Sequence, residues 1–500
     1  MAIEQKTVTG ALWSISTSLG SRLLALVGTL VLTRFIARDV YGEVSVAQVV
    51  VLTVHALTIF GLPNYVVAHP ERGPDDVFHA TVYCVVFGAI GQVAVVALGP
   101  HLGEWFGAPG MVQYLPGLAF ATFIDRVTYI PERVIYRDMR FRLGSLQRAA
   151  GEIVYSGLSV GLAAAGMGGQ AIVVGTLVRA VLRMVVCIAA TERRSWLGFT
   201  RLRMDITRRI FAFGLPIYVA AAAYFAASRW DNLIISRLYG PATAGAYNYA
   251  YNLADVPATS VGEQIGDVLL PSFAHMNDEQ RKSALAQSLG LLAILVFPLA
   301  MGLGAVAITL VRALFSPSWQ SVGPMLMVLS ALSVARPISW VVNSFLQAAK
   351  RTRPILIMEC SKALGIVVTV STLGRLGPLW ACGAVGVTYA GHALTSVWVL
   401  HRYYGLNAAR VLAALLRPLV ACIAMVAAVF GWRAFVGDWG VRHTALAIAA
   451  EVTVGGAVYV GAIFLVAGAA ARELFALLRS RKRKIADTDA PPPSSESPAG

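Results

Sequence analysis

Long apolar runs separated by short polar breaks recur along the whole chain. At about 20 apolar residues per membrane span, this pattern predicts about fourteen transmembrane helices, near residues 9–33, 43–67, 79–100, 112–130, 145–165, 169–190, 211–236, 245–271, 284–311, 322–347, 355–373, 378–400, 411–433 and 443–468. The stretch from Arg229 to His275 reads as the end of one span, a short turn and a second span. On the second helix Asn248, Tyr251, Asn252 and Asp255 recur at i, i+3, i+4 and i+7, and Thr259, Glu263 and Asp267 continue that polar line. A charged residue at the bilayer centre costs about 2.5–3.5 kcal/mol on insertion scales, so such a stripe belongs against a bundle interior or a wet cavity.

Composition agrees with an all-α polytopic membrane protein: 57% of residues are hydrophobic, 13% are charged and the mean hydropathy is +0.67. The net charge of +15 does not point to nucleic acid, because Lys and Arg gather in short loops between spans. One set of loops holds Arg133, Arg137, Arg140 and Arg142, then Arg193 to Arg209, then Lys350, Arg351 and Arg353, then the tail run RSRKRK. The alternate loops, such as HLGEWFGAPG and FSPSWQS, hold neither Lys nor Arg. The positive-inside rule then places both termini in the cytoplasm. Cys84, Cys187, Cys360, Cys382 and Cys422 lie in apolar segments without paired spacing, which suggests packing residues and neither disulfides nor a metal site. No cleavable signal peptide is expected at the N-terminus.

The halves echo each other. LTRFIARDVYGEVSVAQ from Leu32 aligns without a gap on ISRLYGPATAGAYNYAY from Ile235, matching Arg34 with Arg237 and Gly42 with Gly245. A second echo pairs RFR (140–142) with RTR (351–353). The expected organisation is a six-helix lobe over 1–190, a basic cytoplasmic linker over 191–210, a second six-helix lobe over 211–402, two further helices over 403–470, and a basic, then disordered, tail over 471–500. In transporters with such repeats the substrate path lies between the halves, which rock to open it to each side in turn. In the linker, Arg residues alternate with Trp196, Phe199, Leu202 and Ile206, fitting either a segment lying on anionic headgroups or one that gathers an anionic substrate.

Within the spans, Arg22, Arg229 and Arg336 are the candidate lumen cations, since the planar guanidinium suits phosphate oxygens. Arg22 lies behind Ser14, Ser18 and Ser21 on the first helix, and Arg336 precedes the helix-bending Pro337. Arg148, Arg179 and Arg183 lie near enough to helix ends to snorkel, and Arg126 has Asp125 beside it. Asp255, Glu263 and Asp231 are candidates for proton or sodium coupling, although an interhelical hydrogen-bonded carboxylate accounts equally for Asp255. Asn248 and Asn252, with Gln48 and His55 in the first half, mark the cavity's polar face. Glu359 and Lys362 are spaced i, i+3 and read as a structural pair.

No P-loop, nucleophile elbow, zinc motif or clustered metal ligand is present, so no enzyme and no cofactor is expected beyond a coupling H+ or Na+. With these motifs in hand, together with NLIISRLYGPATAGAYNYAYNLADVP and SFLQAAKRTRPILIMECSKALGIVV, the chain resembles the polysaccharide transporter branch of the multidrug/oligosaccharidyl-lipid/polysaccharide exporter superfamily. The resemblance implies two six-helix lobes around a central cavity. It also implies flipping of a polyprenyl diphosphate-linked oligosaccharide for lipopolysaccharide or exopolysaccharide synthesis, with lumen arginines gripping the diphosphate. Polymerase and glycosyltransferases are the partners such a role implies. A lipid II flippase, a multidrug cation antiporter and a non-transporting scaffold of a polysaccharide-synthesis complex are the alternatives.

Overall fold

The computed structural model describes residues 20, 27–69, 73–138, 140–259, 269, 272–273, 276–437, 440 and 443–488. These residues form helices and connecting turns, with no strand among them. Eight helices are long and apolar enough to cross a membrane, and the broken stretch Met204–Pro257 is a further candidate. The first predicted span, with Arg22, falls mostly outside the described residues, as do Glu263 and Asp267.

In chain order the main helices are α1 (Arg38–Leu57), α2 (Leu62–Ala68), α3 (Pro74–Ala97), α4 (Gly99–Trp105), α5 (Leu115–Arg137), α6 (Phe141–Ala164) and α7 (Gln170–Ala190). There follow α8 (204–239) and α9 (241–257), the two parts of Met204–Pro257. The remainder are α10 (Asp278–Leu314), α11 (Val322–Leu332), α12 (Arg336–Ala348), α13 (Thr352–Leu373), α14 (Pro378–Tyr404), α15 (Ala408–Val436) and α16 (Thr444–Thr488). Local chemistry sets many of these limits. Asn277 and Gln280 form a reciprocal capping box that starts α10. The predicted span 43–67 is two helices, because Gly61 takes a left-handed φ of 65° and Pro63 cannot continue α1. The predicted span 322–347 stands as one membrane-length stretch, Val322–Ala348, tightened by a 3-10 turn at Ser333–Ala335 ahead of Pro337. The basic run after α16's membrane portion is helical to Thr488.

Gly240, at φ 77°, divides Met204–Pro257. Three side-chain contacts straddle it almost symmetrically, namely Asn248 to Asn232 (3.0 Å), Tyr247 to Asp231 (2.5 Å) and Arg229 to Asn252 (3.4 Å). Residues so far apart in sequence meet only if α9 folds back along α8, so the two are a helical hairpin.

The matched glycines of the two halves meet where α1 crosses α9. A Cβ on Gly42 would stand 1.8 Å from the carbonyl oxygen of Pro241, and one on Gly245 would stand 3.1 Å from the Cα of Gly42. Only a residue without a side chain lets the helices approach this closely. Around the crossing, Tyr41 stacks on Tyr249 at 4.2 Å and Tyr249 meets the buried Trp319 edge-on at 4.7 Å. Such aromatic pairs contribute about 0.5–1.5 kcal/mol each beyond burial. Ser316 donates to the Thr33 carbonyl (3.2 Å), Arg38 to Ser321 (2.9 Å) and Ser236 to the Phe106 carbonyl (2.8 Å), fastening the same end of the two halves together.

The second echo is also structural. Arg140 and Arg351 each donate a backbone N–H to a carbonyl five residues back, Ile135 (3.0 Å) and Leu346 (2.9 Å), so the same helix ending opens the fifth helix of each expected lobe.

The linker does not lie wholly on the membrane surface. Trp196 and Ile206 are buried against α2, α3 and α5, whereas Phe199 and Leu202 remain exposed. Arg209 then pairs with Asp76 at 3.0 Å, and Tyr218 donates to the Leu57 carbonyl at 3.0 Å. The start of α8 therefore packs on the first half of the chain, which its end touches again through Ser236.

Candidate functional site

Beneath the α1–α9 crossing lies a cavity of about 570 Å³ lined from both halves. Helix α1 presents Tyr41, Ser45 and Gln48 to it, α9 presents Asn248, Asn252 and Asp255, and Thr259 follows just past the end of α9. Thr122 and Asp125 come from α5, Tyr155 from α6, Thr176 and Arg179 from α7, and Arg229 from α8. The helical spacing of the α1 and α9 sets explains why each forms one wall.

An amide ladder runs up the α9 wall. Asn252 donates to Asn248 Oδ1 at 2.8 Å, Tyr41 donates to the same oxygen at 3.3 Å, and Asn248 donates to Asn232 at 3.0 Å. Arg229 reaches the foot of this ladder through Asn252 Oδ1 at 3.4 Å and has no carboxylate within salt-bridge distance among the described residues.

A smaller cavity of about 300 Å³ adjoins it and shares Leu52, Arg229 and Asp255. Arg336 lines this second space, but its charge is already answered. It bonds Asp255 Oδ1 at 2.7 Å and lies between the rings of Tyr251 (4.3 Å) and Tyr389 (4.6 Å), with 5% of its side chain exposed. Asp255, which has no partner at helical spacing in the sequence, thus finds one 81 residues away. Glu359 and Lys362 pair at 2.5 Å on α13 and line the same space.

Two candidates stand apart from the cavities. Asp231 is fully buried, accepts from Tyr247 and from the backbone and side chain of Asn232, and fastens the hairpin. It lines neither cavity. His55 lines neither cavity; its carbonyl accepts from Arg126 and its ring meets Tyr129 edge-on. It is therefore not part of the polar face that Gln48 helps to form.

The arginines of the first half also require correction. Arg126 does not pair with Asp125; it is fully buried and donates to the His55 carbonyl and to Thr58. Arg148, Arg179 and Arg183 do not simply snorkel. Arg183 bridges Asp125 (3.2 Å) and Glu132 (3.1 Å), Arg148 joins Glu132 (2.9 Å), and Arg179 joins Glu152 (3.1 Å) while lying over Tyr155. Arg179 and Asp125 reach the cavity wall, and the sequence reading passed over both as site residues. The available signal was the placing of Arg179 and Arg183 at i, i+4, opposite carboxylates at several positions in the two preceding spans. Of the cations lining either cavity, Arg179, Arg336 and Lys362 each hold a carboxylate; among the described residues Arg229 alone does not.

Comparison with known proteins places this geometry. Residues 31–324 match the family described as polysaccharide biosynthesis protein. The succinoglycan biosynthesis transport protein ExoT of Rhizobium meliloti is 25% identical over 98% of this chain and 99% of its own. The lipopolysaccharide biosynthesis protein WzxC of Escherichia coli is 24% identical over 78% of each chain. Among solved structures, the lipid II flippase MurJ in an inward closed conformation superposes with a TM-score of 0.73, at 14% identity, over 91% of this chain and 98% of its own.

Proposed function

Because this chain belongs to the polysaccharide biosynthesis protein family, we propose that it is a flippase carrying a polyprenyl diphosphate-linked oligosaccharide across the cytoplasmic membrane by alternating access. The observation that carries the proposal is Arg229, a half-buried guanidinium without a carboxylate partner among the described residues, shared by two adjoining cavities. A cation held away from water and left unpaired is costly unless an anion visits it. A diphosphate supplies that anion, and the guanidinium fork suits its oxygens. The Asn248–Asn252 ladder, Gln48, Tyr41 and the threonines around it offer donors and acceptors for sugar hydroxyls. No bond is made or broken, so the protein's task is to give the polar head a wet path while the lipid tail stays in the bilayer.

With both termini in the cytoplasm, the Gly42–Gly245 crossing lies toward the periplasm and the cavity faces the cytoplasm, the state that loads substrate. Release then requires that crossing to part. Asp255 is the coupling carboxylate in this scheme: taking up a proton or sodium ion would loosen its bond to Arg336, which joins α9 to α12. Neighbouring polymerase and glycosyltransferases would consume and supply the lipid-linked repeat unit.

A multidrug cation antiporter needs free cavity carboxylates, whereas Asp125 and Asp255 are both held by arginines. Lipid II would fit the same chemistry, and the family membership favours a polysaccharide precursor over it. The test is a deletion strain of the source bacterium assayed for surface polymer and for lipid-linked intermediates. Loss of polymer with repeat units stranded on the cytoplasmic side is the expected result. Intact polymer with altered sensitivity to cationic dyes would reject the proposal.

A further inference from the structure

The RTR echo opens a second kind of site, away from the central path. At the junction of α12 and α13, Lys350, Arg351 and Arg353 border a pocket of about 780 Å³ whose other wall is Trp398, Tyr403 and Tyr404 at the end of α14. Its lining shares no residue with either central cavity. Its floor, including Met358 and Val399, is buried and apolar, and its rim is exposed: Ile357, Trp398 and Tyr403 are each more than half accessible.

Three features specify the occupant. First, the three cations are exposed and have no carboxylate within salt-bridge distance among the described residues, whereas the cavity cations Arg179, Arg336 and Lys362 are each paired. Second, Lys350 holds a φ of 57°, an uncommon conformation for a residue with a side chain, and this turn aims the neighbouring cations at one space. The N-terminus of the 22-residue helix α13, whose first turn carries no acidic residue, adds its partial positive charge there. Third, Trp and Tyr beside Arg and Lys at a helix end are the side chains that settle at the headgroup level of a bilayer. Arg402, just outside the lining, lies over the ring of the rim residue Tyr403 at 5.9 Å.

We propose that this pocket binds the phosphodiester headgroup of an anionic glycerophospholipid from the cytoplasmic leaflet, with an acyl chain along the apolar floor. A bulk lipid fits better than the transported precursor because the pocket opens outward and is not continuous with the central path. A lipid held there would brace the junction of α12 and α13, one helix away from the Arg336–Asp255 pair.

The test uses the full chain purified in detergent and titrated with phosphatidylglycerol or phosphatidylcholine, with bound lipid counted by native mass spectrometry. The wild type should retain phosphatidylglycerol over phosphatidylcholine. Arg351→Gln and Arg353→Gln should each weaken that retention about fivefold, following the contribution of one basic residue near anionic lipid. Lys350→Gly should act alike, and it cannot fail through strain because glycine adopts this backbone freely. Arg193→Gln with Arg194→Gln, in the exposed linker, should leave retention unchanged. Equal retention by wild type and the pocket variants would overturn the proposal. So would a polyprenyl diphosphate whose binding falls in Arg351→Gln while phosphatidylglycerol binding does not, since the pocket would then serve the substrate head.

Discussion

Two sets of charges in the membrane helices, the carboxylate–arginine network of α5, α6 and α7 and the pair Asp231 and Arg229 of the α8–α9 hairpin, are treated in opposite ways. Across α5, α6 and α7, Asp125, Glu132 and Glu152 answer Arg148, Arg179 and Arg183, and no member of that set is left without a partner of opposite sign. In the hairpin, Asp231 is buried under neutral donors, and Arg229 faces a cavity with an amide as its contact. A membrane helix tolerates charge when another charge answers it, so the first arrangement holds helices together. The second leaves an electrostatic demand that only a ligand or water meets. Stability and transport should therefore depend on different charges.

The largest loss of stability should come from Glu132→Gln. It removes the buried carboxylate at the centre of the network, leaving Arg148 without a carboxylate and Arg183 with Asp125 alone, a loss of about 3 kcal/mol. The expected outcome is little protein in the membrane and early unfolding in a detergent melt. Gly42→Ala comes next, because the new Cβ meets backbone and not a side chain that could move. Overpacking of this kind costs about 1–3 kcal/mol. Cysteine crosslinking between the ends of α1 and α9 should fall as the crossing opens.

Asp255→Asn should cost about 1–2 kcal/mol, less than Glu132→Gln, because Tyr251 and Tyr389 still cradle Arg336. Adding Arg336→Gln should recover part of that loss in a double-mutant cycle, whereas additive losses would show that the pair does not couple. The smallest effect on stability should be that of Arg229→Ala, within about 0.5 kcal/mol, since no ion pair is broken. Its effect on export should nevertheless be the greatest of the four per unit of folded protein.

Spans were legible because a bilayer imposes about 20 apolar residues on any helix that crosses it. The α8–α9 turn and the Gly42–Gly245 match were legible because close backbone approach admits so few residue types. Glu359 with Lys362 was legible because the partners are three residues apart on one helix. What the linear pattern hid was pairing between helices. Nothing in spacing connects Arg336 to Asp255, Arg183 to Glu132, or Arg433 to Glu451, which bond at 2.7, 3.1 and 2.9 Å. For the same reason Arg336 resembled Arg229 in sequence, although one is neutralised and the other is not. Arg22 lies outside the described residues, so the comparison between paired and unpaired cavity cations rests on Arg229.

The most direct measurement is transport of a lipid-linked oligosaccharide by purified protein in liposomes, comparing wild type, Arg229→Lys and Arg229→Ala at matched folded amounts. Loss of transport in Arg229→Ala, with partial activity in Arg229→Lys and unchanged melting of both, is the predicted result. Wild-type transport by Arg229→Ala would contradict the account.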